Sequence, residues 1–280
     1  MGLITNRKED KLVEDLLKIE NIKTDFRNSD KSEIRVLDGV SIQLKRGEII
    51  GLVGESGSGK SMSAMAIAGL LSRHDMTKEG KCLFQGVDTL RCSRQELRKL
   101  QGNEMGIIFQ EPMTSLNPLK KIGWQVEESL RLHTDLGKAE RKERALQALA
   151  EAELPNPERV YSLYPHNLSG GMRQRVMIAA AMIARPKLLI ADEPTTALDV
   201  TIQAQIVKLL QKFSREKGMA VLFISHDLSL VRQLCGRVLV MQKGYVVEQG
   251  DMETVFEHPV HPYTQKLLAA IPKIPGQGGV

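Results

Sequence analysis

Short apolar stretches separated by turn residues recur along the chain and predict its strands. In LLKIENIKTDF and VLDGVSIQLKRGE, near the N-terminus, Val, Ile and Leu fall at near-alternate positions, as in strands with one buried face. The segment RVLVMQKGYVVEQG (237–250) predicts a hairpin around Lys243 and Gly244. Continuous apolar runs, typical of strands buried on both faces, occupy EIIGLVG (48–54), EMGIIFQ (104–110), KLLIADEP (187–194) and AVLFISHD (220–227).

Helical spacing of apolar residues fills the intervals between these strands. From about residue 111 to about residue 172 the strand signals fade, and this predicts a helical insertion. The segment at 173–184 is apolar on most faces, so we expect a buried helix there. Helices are predicted within KSMSAMAIAGLL (60–71), IGWQVEESLRLH (122–133), KAERKERALQALAEAEL (138–154), RQRVMIAAAMIA (173–184), TIQAQIVKLLQKFSREKG (201–218) and the Pro-bounded tail HPVHPYTQKLLAAIPKIPGQGG (258–279).

Alternation of strands with helices predicts an α/β fold, in which a mostly parallel core sheet carries helices and the N-terminal strands form an antiparallel part. We expect one main domain over residues 17–270 that includes the helical insertion. A charged N-terminal arm over 1–16 precedes it, and a short C-terminal extension over 256–280 overlaps its end.

Composition narrows the choice of partners. The net charge is +5 and the pI about 9.0, which suits nucleic acid, an anionic membrane face or a polyphosphate ligand. Aromatic residues make up only 4% of the chain, too few for base-stacking platforms, so no nucleic acid is expected. No stretch approaches the ~20 apolar residues of a membrane span, and the N-terminus lacks a signal-peptide core. We expect a cytoplasmic chain that acts at a membrane only through partners.

The segment GESGSGKS matches the phosphate-loop pattern G-x-x-x-x-G-K-[ST] and lies between a predicted strand and a predicted helix. Its glycines let successive backbone N–H groups point at one anion, and the helix N-terminus adds partial positive charge. We expect Lys60 to reach the β- and γ-phosphates and the Ser61 hydroxyl to bind Mg²⁺. The motif alone leaves kinases, GTPases and ATPases open. Its residues are Gly54, Glu55, Ser56, Gly57, Ser58, Gly59, Lys60 and Ser61.

Polar residues end three of the buried strands, where ligands of parallel sheets bind. Asp192 and Glu193 end one strand, and we expect Asp192 to hold Mg²⁺ and Glu193 to act as the general base for water. His226 ends another strand and is a candidate contact for the γ-phosphate. Gln110 ends a third and is a candidate ligand of the metal or of the water.

A second Ser-Gly-Gly segment, LSGGMRQR (168–175), opens a predicted helix more than a hundred residues after the first loop. It follows the helical insertion, so we expect it to lie away from Lys60 of the same molecule. Its N–H groups suit the γ-phosphate of an ATP held by another chain. Two chains would then close head to tail over two nucleotides.

Taken in order, GESGSGKS, FQEP, LSGGMRQR, LLIADEP, TALD and ISHD resemble the nucleotide-binding subunits of ABC transporters over about residues 17–270. The resemblance implies the fold of an ABC-type P-loop ATPase with ATP and Mg²⁺ as ligands. It implies that Ser169, Gly170 and Gly171 act in trans and that Asp199 contacts the partner chain. It further implies that Gln110 couples the ATP site to a membrane subunit and that Phe26 stacks on adenine. From the residues alone, Phe26 is an exposed aromatic after a strand.

Longer segments, including FQEPMTSLNP, YPHNLSGGMRQRVMIA and HPYTQKLLAAIP, resemble the ATPases of bacterial peptide and nickel importers. That family implies a heterodimer with a second ATPase, two permease subunits, and a periplasmic or lipoprotein solute-binding protein. It also implies a peripheral position on the cytoplasmic face of the inner membrane. Met172 marks the LSGGM member of the ATPase pair. No cysteine follows Cys235, so no iron–sulfur cluster is expected.

Other functions stay open on the sequence. A soluble ABC-type ATPase acting on ribosomes or DNA, an exporter ATPase and a small-molecule kinase are alternatives, and the kinase leaves residues 168–175 without a role. The solute is open among peptides, nickel and metal chelates. His258 and His261 raise the question of nickel binding, although a Pro-rich surface turn is the simpler interpretation.

Overall fold

The computed structural model describes residues 15–27, 33–71, 76–110, 115–196 and 198–270. The expected N-terminal arm lies almost wholly outside these ranges. So do Glu111 and Pro112 of FQEP, Ala197 of TALD and the last ten residues of the C-terminal extension.

A six-stranded sheet forms the centre of the fold. Its strand order is β10-β9-β3-β8-β7-β6, and all neighbours run parallel except the hairpin pair β9 and β10. The parallel order brings the carboxyl ends of β3, β7, β8 and β6 to one edge. The strands are β3 (Ile49–Val53), β6 (Met105–Ile108), β7 (Leu188–Asp192), β8 (Ala220–Ile224), β9 (Arg237–Gln242) and β10 (Tyr245–Asp251).

A second, four-stranded antiparallel sheet has the order β2-β1-β4-β5. The predicted N-terminal strands are confirmed, and β1 begins two residues before the predicted start of the domain. Strand β4 was not predicted, because its sequence MTKEGKCLF is mostly polar. Its strand conformation depends on pairing with β1, which the local sequence does not show. The strands are β1 (Asp15–Arg27), β2 (Glu33–Lys45), β4 (Met76–Phe84) and β5 (Val87–Asp88).

Helices surround the parallel sheet, and four of them, 5 to 14 residues long, lie in the described part of the predicted insertion. The predicted helix over 122–133 is two helices that meet at Glu127, a buried residue contacted by the Tyr161 hydroxyl and by Arg131 and Arg141. The helices are α1 (Lys60–Ile67), α2 (Arg94–Leu100), α3 (Ile122–Val126), α4 (Glu128–His133), α5 (Lys138–Glu151), α6 (Pro157–Ser162), α7 (Gly170–Met182), α8 (Val200–Lys217), α9 (Leu228–Leu234), α10 (Met252–Glu257) and α11 (Pro262–Ala269).

The parallel sheet divides the core into two layers because successive side chains of a strand point to opposite faces. Ile50 and Leu52 of β3 pack toward the antiparallel sheet and α1. Val53 packs on the other face, in the layer that contains α7, α8 and α9. Within the described ranges, no helix is long and apolar enough to cross a membrane.

Candidate functional site

The phosphate loop connects β3 to α1, as predicted from its sequence. Two of its glycines have left-handed backbones, with φ of +78° at Gly57 and +105° at Gly59. A Cβ atom at Gly59 would lie 2.8 Å from the Met241 side chain and 2.9 Å from that of Leu37. The positive φ therefore favours glycine at position 59, and a Cβ atom there would also force the Met241 and Leu37 side chains to shift.

Segments from the far end of the chain support this loop. A Cβ atom at Gly54 would lie 2.2 Å from the carbonyl oxygen of Met241 at the end of β9. The Gly244 N–H donates to the Ser58 carbonyl at 2.9 Å. The Glu55 N–H donates to the Tyr263 hydroxyl at 2.9 Å. The hairpin β9–β10 and helix α11 thus form the wall behind the loop.

Lys60 is buried at the start of α1 and points back over the loop. Its Nζ donates to the carbonyl oxygens of Gly54 at 2.8 Å and Glu55 at 3.0 Å. Burial lowers the pKa of Lys60, and the charges of Glu193 and Asp192 oppose that shift. The ammonium group is therefore poorly solvated and suited to an additional anion.

Asp192 ends β7 and is 8% exposed. Burial raises the pKa of this carboxyl group, while a hydrogen bond with the Ser61 side chain and the charge of Lys60 lower it. Its Oδ1 atom is buried without a hydrogen-bond partner among the described residues. An unpartnered carboxylate oxygen beside a hydroxyl group fits a hard cation such as Mg²⁺, which prefers oxygen ligands.

Glu193 lies next in the chain and contacts three polar groups, two of which come from other strand ends. Its Oε2 is 3.2 Å from the Gln110 amide nitrogen, 2.8 Å from the Thr196 hydroxyl and 3.1 Å from His226 Nδ1. A φ of +47° places its backbone in the left-handed region, which is rare for glutamate and is often found at functional sites. The structure therefore brings the three predicted strand ends together around one carboxylate.

The LSGGM segment has different neighbours from the phosphate loop. Ser169 caps α7 by accepting from the Met172 N–H at 3.3 Å, and Asp199 caps α8 by accepting from the Ile202 N–H at 3.0 Å. A Cβ atom at Gly171 would lie 3.2 Å from the Ile202 side chain. Ser169, Gly170 and Asp199 are exposed. The two caps therefore belong to one exposed surface.

Phe26 lies within β1 and not after it, contrary to the expectation from sequence. It is half-buried, and it pairs with Ile34 of β2 and Met76 of β4. The strand includes Phe26 because β2 and β4, which pair with β1 on either side, both extend as far as this residue.

Sequence reasoning missed three contributors to the site. Thr196 donates to Glu193 three positions earlier, a spacing that the sequence DEPTT displays. Gly244 and Tyr263 touch the phosphate loop from far along the chain. Their roles had no local signal, since both contacts depend on how β9, β10 and α11 fold back onto β3.

Comparison with protein families gives two matches. The family model described as ABC transporter matches residues 37–196. The model described as the C-terminal region of oligopeptide/dipeptide transporters matches residues 247–279. The first match covers the phosphate loop, Gln110, the LSGGM segment and both strand-end carboxylates. The second covers α10, α11 and all but the first two residues of β10.

Several curated proteins are similar over most of the chain. The dipeptide transport ATP-binding protein DppD of Escherichia coli strain K12 is 47% identical over 92% of this chain and 79% of its own length. The oligopeptide transport ATP-binding protein OppD of the same strain is 45% identical over 94% of this chain and 77% of its own length. The peptidoglycan transport ATP-binding protein YejF of Agrobacterium fabrum is 50% identical, but the match spans only 47% of it.

Solved structures agree with the fold. The dimeric ABC transporter cassette MJ0796 superposes with a TM-score of 0.76 at 31% identity, covering 84% of this chain and 98% of the cassette. The same cassette in a post-hydrolysis state bound to ADP and phosphate gives the same values. With its motifs, its fold and these relatives in agreement, the chain belongs to the ATP-binding subunits of the ABC transporter family.

Proposed function

We propose that this chain hydrolyses ATP to power a bacterial inner-membrane importer of peptides or of a related small solute. One observation carries the catalytic part: the Glu193 carboxylate, next to the buried Asp192, contacts Gln110 and His226 from two other strand ends. The peptide assignment rests on the relatives named for dipeptide and oligopeptide transport and on the match over residues 247–279. Nickel and metal chelates are the other candidate solutes.

In this proposal residues 54–61 hold the ATP phosphates through backbone N–H groups, with Lys60 on the β- and γ-phosphates. Ser61, Asp192 and Gln110 hold Mg²⁺, and Phe26 stacks on the adenine. Bound Mg²⁺ supplies charge neutralisation at the phosphate oxygens. The unpartnered Oδ1 of Asp192 supports its role as a metal ligand.

Glu193 is the proposed base, because the Gln110, Thr196 and His226 contacts all fall on its Oε2 atom. They leave Oε1 to accept the proton of the water that attacks the γ-phosphorus. The bond from that phosphorus to the bridging oxygen breaks, and ADP and phosphate leave. A carboxylate can only accept, so His226 Nδ1 carries the proton of this contact. A phosphate oxygen also only accepts, so the proposed contact of His226 with the γ-phosphate requires a second proton, on Nε2.

A second chain completes the site in the proposed assembly. Ser169, Gly170 and Gly171 would cap the γ-phosphate of ATP held by the partner ATPase, and Asp199 would contact that chain. Exposure of Ser169, Gly170 and Asp199 supports this role, since residues that serve another molecule must reach the surface. The partner is proposed to be a homologous subunit with LSGGQ in place of LSGGM, which gives a heterodimer.

A cleft between the parallel sheet and the helical insertion is the proposed docking site for the permease subunits. Its volume is about 380 Å³, and its lining includes Leu70, Met105, Phe109, Leu116 and Met177. Leu70 and Phe109 are 40% and 42% exposed. Because Phe109 precedes Gln110, a permease segment in this cleft would adjoin the ATP site. The proposed position of the chain is therefore peripheral, at the cytoplasmic face of the membrane.

Purification of the chain from detergent-solubilised membranes with ATP present tests this function. Recovery of two permeases, an LSGGQ-type ATPase and a solute-binding protein would support the importer, and the binding protein's ligand would identify the solute. Recovery only from the soluble fraction, alone or with ribosomes, would contradict it.

A further inference from the structure

Helix α11 contacts the phosphate loop although more than 200 positions separate them in sequence. The hydroxyl group of Tyr263 accepts the Glu55 N–H at 2.9 Å, and the tyrosine is 7% exposed. The contact is therefore a partly buried hydrogen bond to the loop backbone.

The turn before α11 fixes the position of this tyrosine. The carboxylate of Glu248 on β10 accepts the N–H groups of Val260 at 2.8 Å and His261 at 3.0 Å. His261 then caps α11, because its Nδ1 accepts the Tyr263 N–H at 3.2 Å. Pro262 at the first helical position needs no N–H partner. Tyr263 is thus held by a strand of the central sheet, and His261 serves as a helix cap.

Glu55 is the residue through which this contact reaches the rest of the loop. Its carbonyl oxygen accepts from the Lys60 ammonium at 3.0 Å and from the Ser58 N–H at 3.2 Å. The peptide groups on either side of Glu55 therefore join Tyr263 on one side to Lys60 and the loop turn on the other. A fixed Glu55 N–H therefore also fixes the backbone conformation in which the other N–H groups of the loop point toward the phosphates.

We propose that Tyr263 is a positioning residue for nucleotide binding. Its hydroxyl group orders the phosphate loop before ATP arrives, so that less ordering is needed on binding. This gives the C-terminal region, matched over residues 247–279, a role at the ATP site. The inference rests on the proposed assignment of residues 54–61 to ATP.

The Tyr263→Phe variant tests it, because the substitution removes the hydroxyl group and keeps the buried ring. We expect the Kd for Mg-ATP of the full chain, from isothermal titration, to rise about fivefold, since the partly buried Glu55 N–H loses its partner. In the assembled transporter we expect KM for ATP to rise with kcat unchanged. Amide exchange at Glu55 should accelerate in the nucleotide-free variant and return to the wild-type rate at saturating ATP.

Tyr245→Phe is the matched control. Its hydroxyl group donates to the Asp38 carboxylate on β2 and not to the loop, so ATP affinity should stay within about twofold.

Lys60→Ala separates the role of Tyr263 from the assignment of residues 54–61 to ATP. Wild-type affinity in Lys60→Ala would refute the loop assignment and the inference with it. Lost affinity in Lys60→Ala with unchanged affinity in Tyr263→Phe would overturn the inference alone. Equal losses in Tyr263→Phe and Tyr245→Phe would also overturn it.

Discussion

The phosphate loop and the LSGGM segment are both Gly-rich turns that open a helix, yet their surroundings differ. At the two ends of the first loop, backbone leaves no room for a Cβ atom at Gly54, and Lys60 is buried, while residues 55–57 between them are exposed. Around the second, Ser169 and Gly170 are exposed, and the nearest atom to a Cβ at Gly170 is 3.9 Å away, on the Leu198 side chain. One loop is enclosed at both ends by its own chain, while the other presents its donors to solvent.

This difference indicates that the two segments have different functions. Enclosure orders the first loop in a single chain, so ATP binding should not need a partner. Exposure leaves the second segment without a ligand inside its own molecule, so its effect should appear only when two chains meet. Four substitutions test this division, from the largest expected effect to the smallest.

Glu193→Gln should trap the state in which both segments act. The amide keeps the shape of the carboxylate but cannot accept the proton of the attacking water, so kcat should fall at least about 100-fold. ATP should still bind, and the dimer should stay closed in gel filtration with ATP. Undiminished ATPase activity would contradict the assignment of Glu193 as the base.

Lys60→Ala removes the buried cation of the enclosed loop. We expect ATP affinity to fall about 100-fold in the isolated chain, because charge-assisted hydrogen bonds to phosphate are lost. Isothermal titration measures this. Equal affinity of variant and wild type would show that the loop does not hold ATP.

Gly170→Asp adds a negative charge to the exposed segment and leaves the enclosed loop intact. ATP affinity of the isolated chain should stay within about twofold, while ATP-dependent pairing with the partner ATPase weakens at least about tenfold through like-charge repulsion. Gly170→Ala is the neutral control and should pair nearly normally, since a Cβ atom fits there. A lower ATP affinity in the isolated Gly170→Asp chain would break the distinction between the two loops.

Asp192→Asn should show how much the buried carboxylate lowers the stability of the folded chain. Burial raises the pKa of the Asp192 carboxyl group above its usual 3.8. The protonated carboxyl group therefore favours the folded state at low pH, and this contribution to the free energy of unfolding is lost as the pH rises through the folded-state pKa. At neutral pH the neutral amide should raise the Tm by about 2 °C without Mg²⁺, an effect of about 1 kcal/mol. In thermal unfolding, added Mg-ATP should then raise the Tm of the wild type more than that of the variant. A lower Tm of the Mg²⁺-free variant would contradict this account.

Prediction from sequence succeeded where the signal was local. The runs at β3, β6 and β8 were apolar throughout, and the run at β7 was apolar up to Asp192 at its end, because strands buried on both faces have few polar positions. It failed for α2, although Ser93 and Glu96 form a capping box that the sequence SRQE displays. It also merged α3 and α4, since the spacing of apolar residues does not report that Glu127 is buried in an ionic cluster.

The sequence by itself determined the family, the α/β fold and the phosphate loop, because each rests on contiguous residues whose chemistry is fixed by type and spacing. Only the tertiary structure decided which groups surround Glu193 and what supports the loop. Gln110 lies 83 positions from Glu193, and Tyr263 lies 208 positions from Glu55. Such contacts follow from the order of strands in the central sheet, which sets β6 beside β7 and β9 beside β3. No local pattern encodes that order.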